Sequence, residues 1–190
     1  MKVFFFGGTF DPPHLGHEKI VDFCLNNCDK LIIIPNKKSP DKIKTTDAGH
    51  RVNMLNLLFN NTKITIDDFE LNSNKTNYTY YTIQYLKKQY KDDLTMVLGY
   101  DQLINLENWF NYKKIVKNIN ILCFNRSISN RSTENVLNKT KNIKYVKEFD
   151  YDISSSNIKK KLIDLNKTNC NKILNHKVFE YIKKNKLYES

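Results

Sequence analysis

Alanine is almost absent from this chain: Ala48 is the only one in 190 residues. Arginine is nearly as scarce, with Arg51, Arg126 and Arg131 alone among 31 basic residues. Lys, Asn, Ile, Tyr and Phe take their place, as an AT-rich coding sequence favours, so part of the net charge of +11 is read as compositional. The lysines are spread along the chain and the aromatic residues form no RNA-binding signature, which argues against nucleic acid as a partner. Long apolar runs are missing too. Leu31-Ile32-Ile33-Ile34 stops at Pro35, far short of the roughly 20 residues that span a bilayer. Val3 to Phe6 runs straight into Gly7-Gly8, without the long apolar core or cleavage site of a signal peptide. These absences predict a cytoplasmic protein with no membrane partner. Four scattered cysteines (Cys24, Cys28, Cys123, Cys170) exclude a disulfide framework. Cys24 and Cys28 lack a second pair at zinc-finger spacing, so no protein-bound metal is expected.

What is present fits one globular domain over residues 1–190, at 40% hydrophobic and 27% charged residues. Val3 to Phe6, closed by glycines, reads as a buried parallel strand. Leu15 to Leu25 carries Ile20, Val21 and Cys24 at helical spacing. Leu31 to Ile34 is a second buried strand, and Asn36 to Thr46 a polar loop broken by Pro40. Asp47 reads as the N-cap of a helix bearing Val52, Leu55 and Phe59. Strands follow at Ile64 to Ile66, Leu94 to Leu98, Ile119 to Phe124 and Ile143 to Val146. Helices are expected over Tyr78 to Tyr90, Asn108 to Val116, Ser155 to Leu165 and Lys177 to Lys184, making the part from about residue 153 helical. Alternating strands and helices predict an α/β fold, a doubly wound parallel sheet whose ligands sit beyond the carboxyl ends of its strands. Gly7-Gly8, Pro35 to Lys42, Gly99 to Asp101 and Arg126 all fall there.

The sharpest local signal is Gly7-Gly8-Thr9-Phe10-Asp11-Pro12-Pro13-His14-Leu15-Gly16-His17. Two glycines let backbone pass close to a phosphate and offer N–H donors. His14 and His17, two of only four histidines, share one face of the first turn of a helix whose positive dipole end points the same way. The string is not a P-loop, since the Gly-Lys-Ser/Thr ending is missing, and it lacks the three-glycine spacing of the dinucleotide fingerprint. The scarcity of arginine singles out Arg51 and Arg126, because a planar fork grips phosphate in one orientation. Arg131 carries no such expectation.

The string closely resembles the signature of the HxGH nucleotidyltransferases, and in detail the bacterial nicotinate-mononucleotide adenylyltransferases, over nearly the whole chain. Pro35 to Lys42 is similar to the family's Pro-containing loop, with Pro40 kept but Ser39 and Asp41 replacing the usual Pro and His. His50-Arg51 with Met54-Leu55 resembles its Arg-x-x-Met-Leu helix. Asn77-Tyr78-Thr79 with Thr82 resembles its Ser-Tyr-Thr segment, and Gly99-Tyr100-Asp101 with Leu106 and Trp109 its Gly-x-Asp and Leu-x-x-Trp. Ile153 to Lys159 resembles Ile-Ser-(Ser/Ala)-Thr-x-Ile-Arg, with Lys159 in place of Arg. Val178, Tyr181-Ile182 and Leu187-Tyr188 resemble the closing helix.

The resemblance implies a Rossmann-like nucleotidyltransferase that joins the adenylyl group of ATP to nicotinate mononucleotide, with the nicotinamide form as a second candidate substrate. By the same resemblance His14, His17, Lys42 and Arg51 act on the phosphates. Gly7, Gly8, Thr9, Phe10, Asp101, Arg126, Ile153, Ser154, Ser155 and Lys159 bind ATP. Thr79 and Phe110 receive the nicotinate carboxylate through backbone N–H groups, and the pyridine ring stacks on Trp109, the one tryptophan. Mg²⁺ accompanies ATP, held by its phosphates and water. Monomer and homo-oligomer are both compatible with this reading. Two alternatives stand beside it: a sister adenylyl- or cytidylyltransferase acting on another phosphorylated molecule such as phosphopantetheine, and a non-catalytic basic binding protein on the same fold. The Thr79 and Trp109 segments argue against the first, and the histidine pair against the second.

Overall fold

Four consecutive apolar residues can be buried only if both faces of their strand are covered, and such a strand, Val3–Gly8 (β1), lies at the centre of the sheet. The structure, a computed structural model, describes residues 1–37, 45–74, 76–91, 93–124, 142–146, 149, 153–163 and 172–189. Among these, Lys30–Pro35 (β2), Ile64–Ile66 (β3), Leu94–Gly99 (β4), Asn120–Phe124 (β5) and Ile143–Val146 (β6) join β1 in one parallel sheet of order β3-β2-β1-β4-β5-β6. The chain winds outward from β1 to β3, returns to the middle, and winds the other way from β4 to β6. The direction reverses between β1 and β4, which is where such sheets open a ligand crevice.

The helices are Leu15–Leu25 (α1), Ala48–Leu58 (α2), Phe69–Asn72 (α3), Thr79–Gln89 (α4), Tyr100–Leu103 (α5), Tyr112–Asn118 (α6), Ser155–Ile163 (α7) and His176–Lys184 (α8), with a 3₁₀ turn at Leu106–Asn108. Alternation along the strands divides the core. Val3 and Phe5 pack with Ile32, Ile34, Met96 and Leu98 beneath α4 and α6, through Ile83, Leu86 and Ile115. Phe4 and Phe6 pack with Leu31, Ile33, Val97 and Phe124 beneath α1 and α2, through Ile20, Val21, Cys24 and Leu55. Each such side chain contributes about 1.5–3 kcal/mol on burial. A third cluster, Met54, Ile158, Leu162, Leu174, Val178 and Ile182, fastens α7 and α8 to α2.

Local signals set the helix ends. Asp47 Oδ1 accepts the Gly49 N–H at 2.7 Å, the cap expected from sequence. The helix expected from Asn108 to Val116 is instead split, because Asn111 sits in the left-handed region at φ 56° and α6 begins only after it. Asn tolerates that conformation better than other non-glycine residues, and helical periodicity does not reveal it. Cys24, Cys28 and Cys123 are free and buried, and burial pushes their thiols up, Cys123 to about 12. Cys170 lies outside the described residues. No helix among the described residues is long and apolar enough to cross a membrane.

Candidate active site

The first strand delivers Gly7 and Gly8 to the switch point, level with Ile34 and Pro35 of β2. The chain then turns through Phe10, whose φ of 50° is left-handed, a conformation that costs a bulky residue about 1–2 kcal/mol. That turn folds the Phe10 ring back over Gly8, where a Cβ would stand 3.1 Å from the ring. A side chain at position 8 would therefore need the Phe10 ring to give by a few tenths of an ångström. The Phe10 ring is also edge-on to Phe6 and to His17, at 5.3 and 5.0 Å between centroids.

His14 is the N-cap of α1 and His17 its third residue, so the helical turn stacks the two imidazoles at 3.7 Å between centroids. The His14 N–H donates to His17 Nδ1 at 3.1 Å. A neutral His17 ring therefore carries its proton on Nε2 and presents an N–H donor there. Gly16 gives the stack room, since a Cβ at that position would lie 3.1 Å from the His14 ring.

Residues nearly 150 positions away in sequence close on this loop. Ile153 Cβ lies 3.9 Å from the position a Gly16 Cβ would take. Ser154 Oγ accepts the Asn157 N–H at 3.2 Å, capping the start of α7. Ser155 Oγ donates to the Pro12 carbonyl at 3.0 Å. Lys159 Nζ donates to Asp11 Oδ2, and its ammonium also lies 5.2 Å from the centre of the Tyr188 ring. Tyr188 in turn donates its hydroxyl to Asp11 Oδ1 at 2.6 Å.

Asp11 is fully buried at 0% exposure and also accepts the Thr46 N–H at 3.2 Å. Burial pushes its carboxyl up. The hydrogen bonds from Lys159, Tyr188 and Thr46, with the Lys159 charge, outweigh burial and hold it below its ordinary 3.8. Burial and the Asp11 charge push the Tyr188 phenol up, so it stays a donor. A depressed carboxyl contributes stability that is fully present above its unfolded value and is lost as pH falls through the folded one. The melting-temperature gap between wild type and Asp11→Asn should thus be constant over roughly pH 5 to 8 and close below about pH 4. A gap independent of pH down to the acid transition would show that the ionised carboxylate contributes nothing.

Arg51, which the resemblance assigns to the phosphates, is held by backbone. It is 1% exposed, and its guanidinium donates to four carbonyls: Nε to Thr46 at 3.0 Å, Nη1 to Thr9 at 2.7 Å and Asn36 at 2.9 Å, and Nη2 to Lys37 at 3.4 Å. The fork that scarcity singled out grips backbone, tying the glycine loop to the end of β2 and the start of α2. Burial pushes its pKa down, against the charges of Asp11, Tyr188 and Asp47.

Across the switch point, Asp101 is exposed in the first turn of α5, just beyond β4. Trp109 is partly buried and packs on the α4 side of the core. The exposed Phe110 ring stacks on Tyr78 at 4.7 Å, bringing the 109–110 segment against the start of α4, where Thr79 is the first helical residue. Beneath that start, buried Glu70 accepts the Thr82 hydroxyl at 2.6 Å and its carbonyl accepts from Asn77 Nδ2 at 2.5 Å. Burial pushes the Glu70 carboxyl up. Lys42, Arg126 and Arg131 lie outside the described residues. Sequence reading gives no task to Asp11, Glu70 or Thr46 and sees Tyr188 only as part of a closing helix. The one available signal is that a carboxylate inside a phosphate motif demands a cation, and Lys159 supplies it.

A parallel sheet that reverses direction beside a glycine-closed first strand, with stacked imidazoles at a helix start, is the architecture of an α/β protein whose ligand sits at the switch point. The profile of the cytidylyltransferase-like family matches residues 5–161. A probable nicotinate-nucleotide adenylyltransferase of Fusobacterium nucleatum is 35% identical over 97% of this chain and 98% of its own length. Its counterpart in Borrelia garinii is 34% identical over 99% and 95%. The structure of Plasmodium falciparum nicotinic acid mononucleotide adenylyltransferase complexed with NaAD matches with a TM-score of 0.83 and 25% identity, covering 98% of this chain and 97% of that one. The chain belongs to the cytidylyltransferase-like family, in its nicotinate-nucleotide adenylyltransferase branch.

Proposed function

We propose that this chain transfers the adenylyl group of ATP to nicotinate mononucleotide, forming the dinucleotide precursor of NAD. A 5′-phosphate oxygen of the mononucleotide attacks the α-phosphorus of ATP, the α–β bridging P–O bond breaks, and pyrophosphate leaves. The observation that carries this reading is the stacked His14–His17 pair at the sheet's switch point, with the start of α7 closed over the same loop. No covalent enzyme intermediate is required, so the protein's work is alignment and stabilisation of charge on the phosphoryl oxygens.

His17 Nε2–H and the His14 ring face the α- and β-phosphates, and Gly7, Gly8, Thr9 and Phe10 provide the backbone wall. Ser154, Ser155 and Lys159 stand at the start of α7 for the triphosphate. Asp101 meets the ribose hydroxyls. Lys42 and Arg126 are assigned to phosphate and ATP by family resemblance. Arg51 acts by holding the loop in shape. Among the described residues no group of three or more His, Cys, Asp or Glu is placed to hold a metal. A donor set of imidazole, hydroxyl and ammonium groups suits phosphate, and Mg²⁺ would accompany ATP to offset its phosphate charge.

Substrate choice follows from donors. Thr79 N–H, at the first position of α4, belongs to the turn that leaves helical N–H groups without internal partners. We pair it with the N–H of Phe110, whose ring stacks on Tyr78, the residue before Thr79, and two such donors receive a carboxylate well. An amide NH₂ leaves one donor unpaired, a difference of about ten- to a hundredfold in kcat/KM. Incubating the protein with ATP, Mg²⁺ and each of nicotinate mononucleotide, nicotinamide mononucleotide and phosphopantetheine should release pyrophosphate fastest with the first. Pyrophosphate only with phosphopantetheine would overturn the reading, and equal efficiency with both mononucleotides would overturn the carboxylate argument. Trp109→Ala should raise KM for both mononucleotides alike, since stacking reads the ring and not its substituent.

A further inference from the structure

We propose that Asp11 is a positioning residue for the transfer reaction, holding the Lys159 ammonium at the phosphate loop with Tyr188 of the C-terminal tail as the second side of the clamp. The inference rests on the reading of the site as an adenylyltransferase. It begins from the residue type at position 159, a lysine. A guanidinium is a planar, pre-organised fork, whereas an ammonium is a point charge on a flexible four-carbon stem. A lysine that serves one site must be held there by something else. Here two groups hold it, the Asp11 carboxylate and the face of the Tyr188 ring.

Both holders are themselves over-determined. Asp11 has no exposure, and its second oxygen is occupied by the Tyr188 hydroxyl. Tyr188 reaches it from a tail that turns through two non-glycine residues of left-handed backbone, Lys186 at φ 48° and Tyr188 at φ 68°. Such strain persists only where surrounding contacts impose it. Tyr181, on the helix leading into that tail, accepts Asn53 Nδ2 at 3.0 Å and pairs with His50 Nδ1 at 2.9 Å, anchoring α8 to α2. The ammonium has three donors and Asp11 takes one, leaving two for a phosphate, and the Lys159 side chain remains 23% exposed.

The sign of one substitution separates positioning from plain electrostatics. If Asp11 were only a negative charge near the triphosphate, Asp11→Asn would lower KM for ATP. If it positions Lys159, the same change frees the ammonium and raises KM for ATP, with kcat/KM for ATP falling roughly tenfold or more. KM for nicotinate mononucleotide should stay within about twofold, since its donors lie on α4 and the 109–110 segment. Lys159→Arg in the Asp11→Asn background should recover most of the loss, because a pre-organised fork needs less holding.

The assay is steady-state pyrophosphate release by the full chain, with melting temperature measured in parallel. Wild type without activity toward any mononucleotide would refute the adenylyltransferase reading itself. Wild type active, with KM for ATP lowered or unchanged in Asp11→Asn, would overturn the positioning role alone. A loss spread equally over both substrates and not rescued by Lys159→Arg would overturn it too, reducing Asp11 to a fold contact. Should Asp11→Asn fail to fold, Tyr188→Leu, which removes ring and hydroxyl, decides the matter. It should raise KM for ATP several-fold while Tyr188→Phe does so less, and equal, unchanged KM values in both would end the proposal.

Discussion

His17→Ala is expected to lower kcat by roughly 10²-fold or more, the loss that follows removal of one donor aimed at developing charge. The imidazole is fixed from three sides. Its Nδ1 accepts the His14 N–H at 3.1 Å, its face lies on the His14 ring at 3.7 Å, and the Phe10 ring stands edge-on at 5.0 Å. Those contacts leave Nε2–H as the ring's donor and restrict its direction before any substrate arrives. Pre-organisation of that kind lowers the barrier without requiring reorganisation during reaction. Alanine removes the donor and leaves the His14 N–H without its acceptor, at a cost of about 1–3 kcal/mol in stability, too little to unfold a chain with an intact sheet. Pyrophosphate release should fall while the far-ultraviolet circular dichroism spectrum is retained. A folded His17→Ala protein with wild-type turnover would remove His17 from the mechanism.

Elements with a strong period are visible in sequence to within a residue or two. Leu15–Leu25, Ile64–Ile66 and Ile143–Val146 coincide with the expected spans, and β1, β2 and β4 extend theirs by one or two residues toward the site. The four-residue helices Phe69–Asn72 and Tyr100–Leu103 are too short to display a helical repeat. Around the site, residue type reveals the chemistry available but not the partner chosen. Two histidines three apart near a glycine turn imply a shared face, and the fold stacks them. A scarce arginine implies that a fork is needed, yet only the fold shows that Arg51 spends it on carbonyls. Lys159 in place of Arg implies a weaker grip, and only the fold brings Asp11 to it across more than a hundred residues of sequence, with Tyr188 of the tail closing on both. Contacts of that range carry no periodic trace.

Arg51→Met is expected to destabilise the protein by about 3–5 kcal/mol, the range for breaking a buried charged hydrogen-bond network. For a chain of this size that lowers the melting temperature by roughly 10 °C. The cause is the four carbonyls of Thr9, Asn36, Lys37 and Thr46, which lose their donors together. Methionine fills part of the volume but donates nothing, so each carbonyl must find water or move. Movement there propagates directly: Thr9 follows the glycines of β1, Asn36 follows β2, and Thr46 donates its N–H to Asp11. Arg51→Lys should restore only part of the stability. One ammonium has three donors from a single point and is more strongly hydrated, whereas the fork spans carbonyls from three segments. A phosphate ligand would behave otherwise, losing ATP affinity with little change in melting temperature, and Arg51→Lys would lose less of that affinity than Arg51→Met because it keeps the charge but not the fork. Thermal unfolding of the two variants, with KM for ATP measured well below their transitions, distinguishes the two tasks. A melting temperature within about 2 °C of wild type in Arg51→Met, together with a large rise in KM for ATP, would return Arg51 to the phosphates.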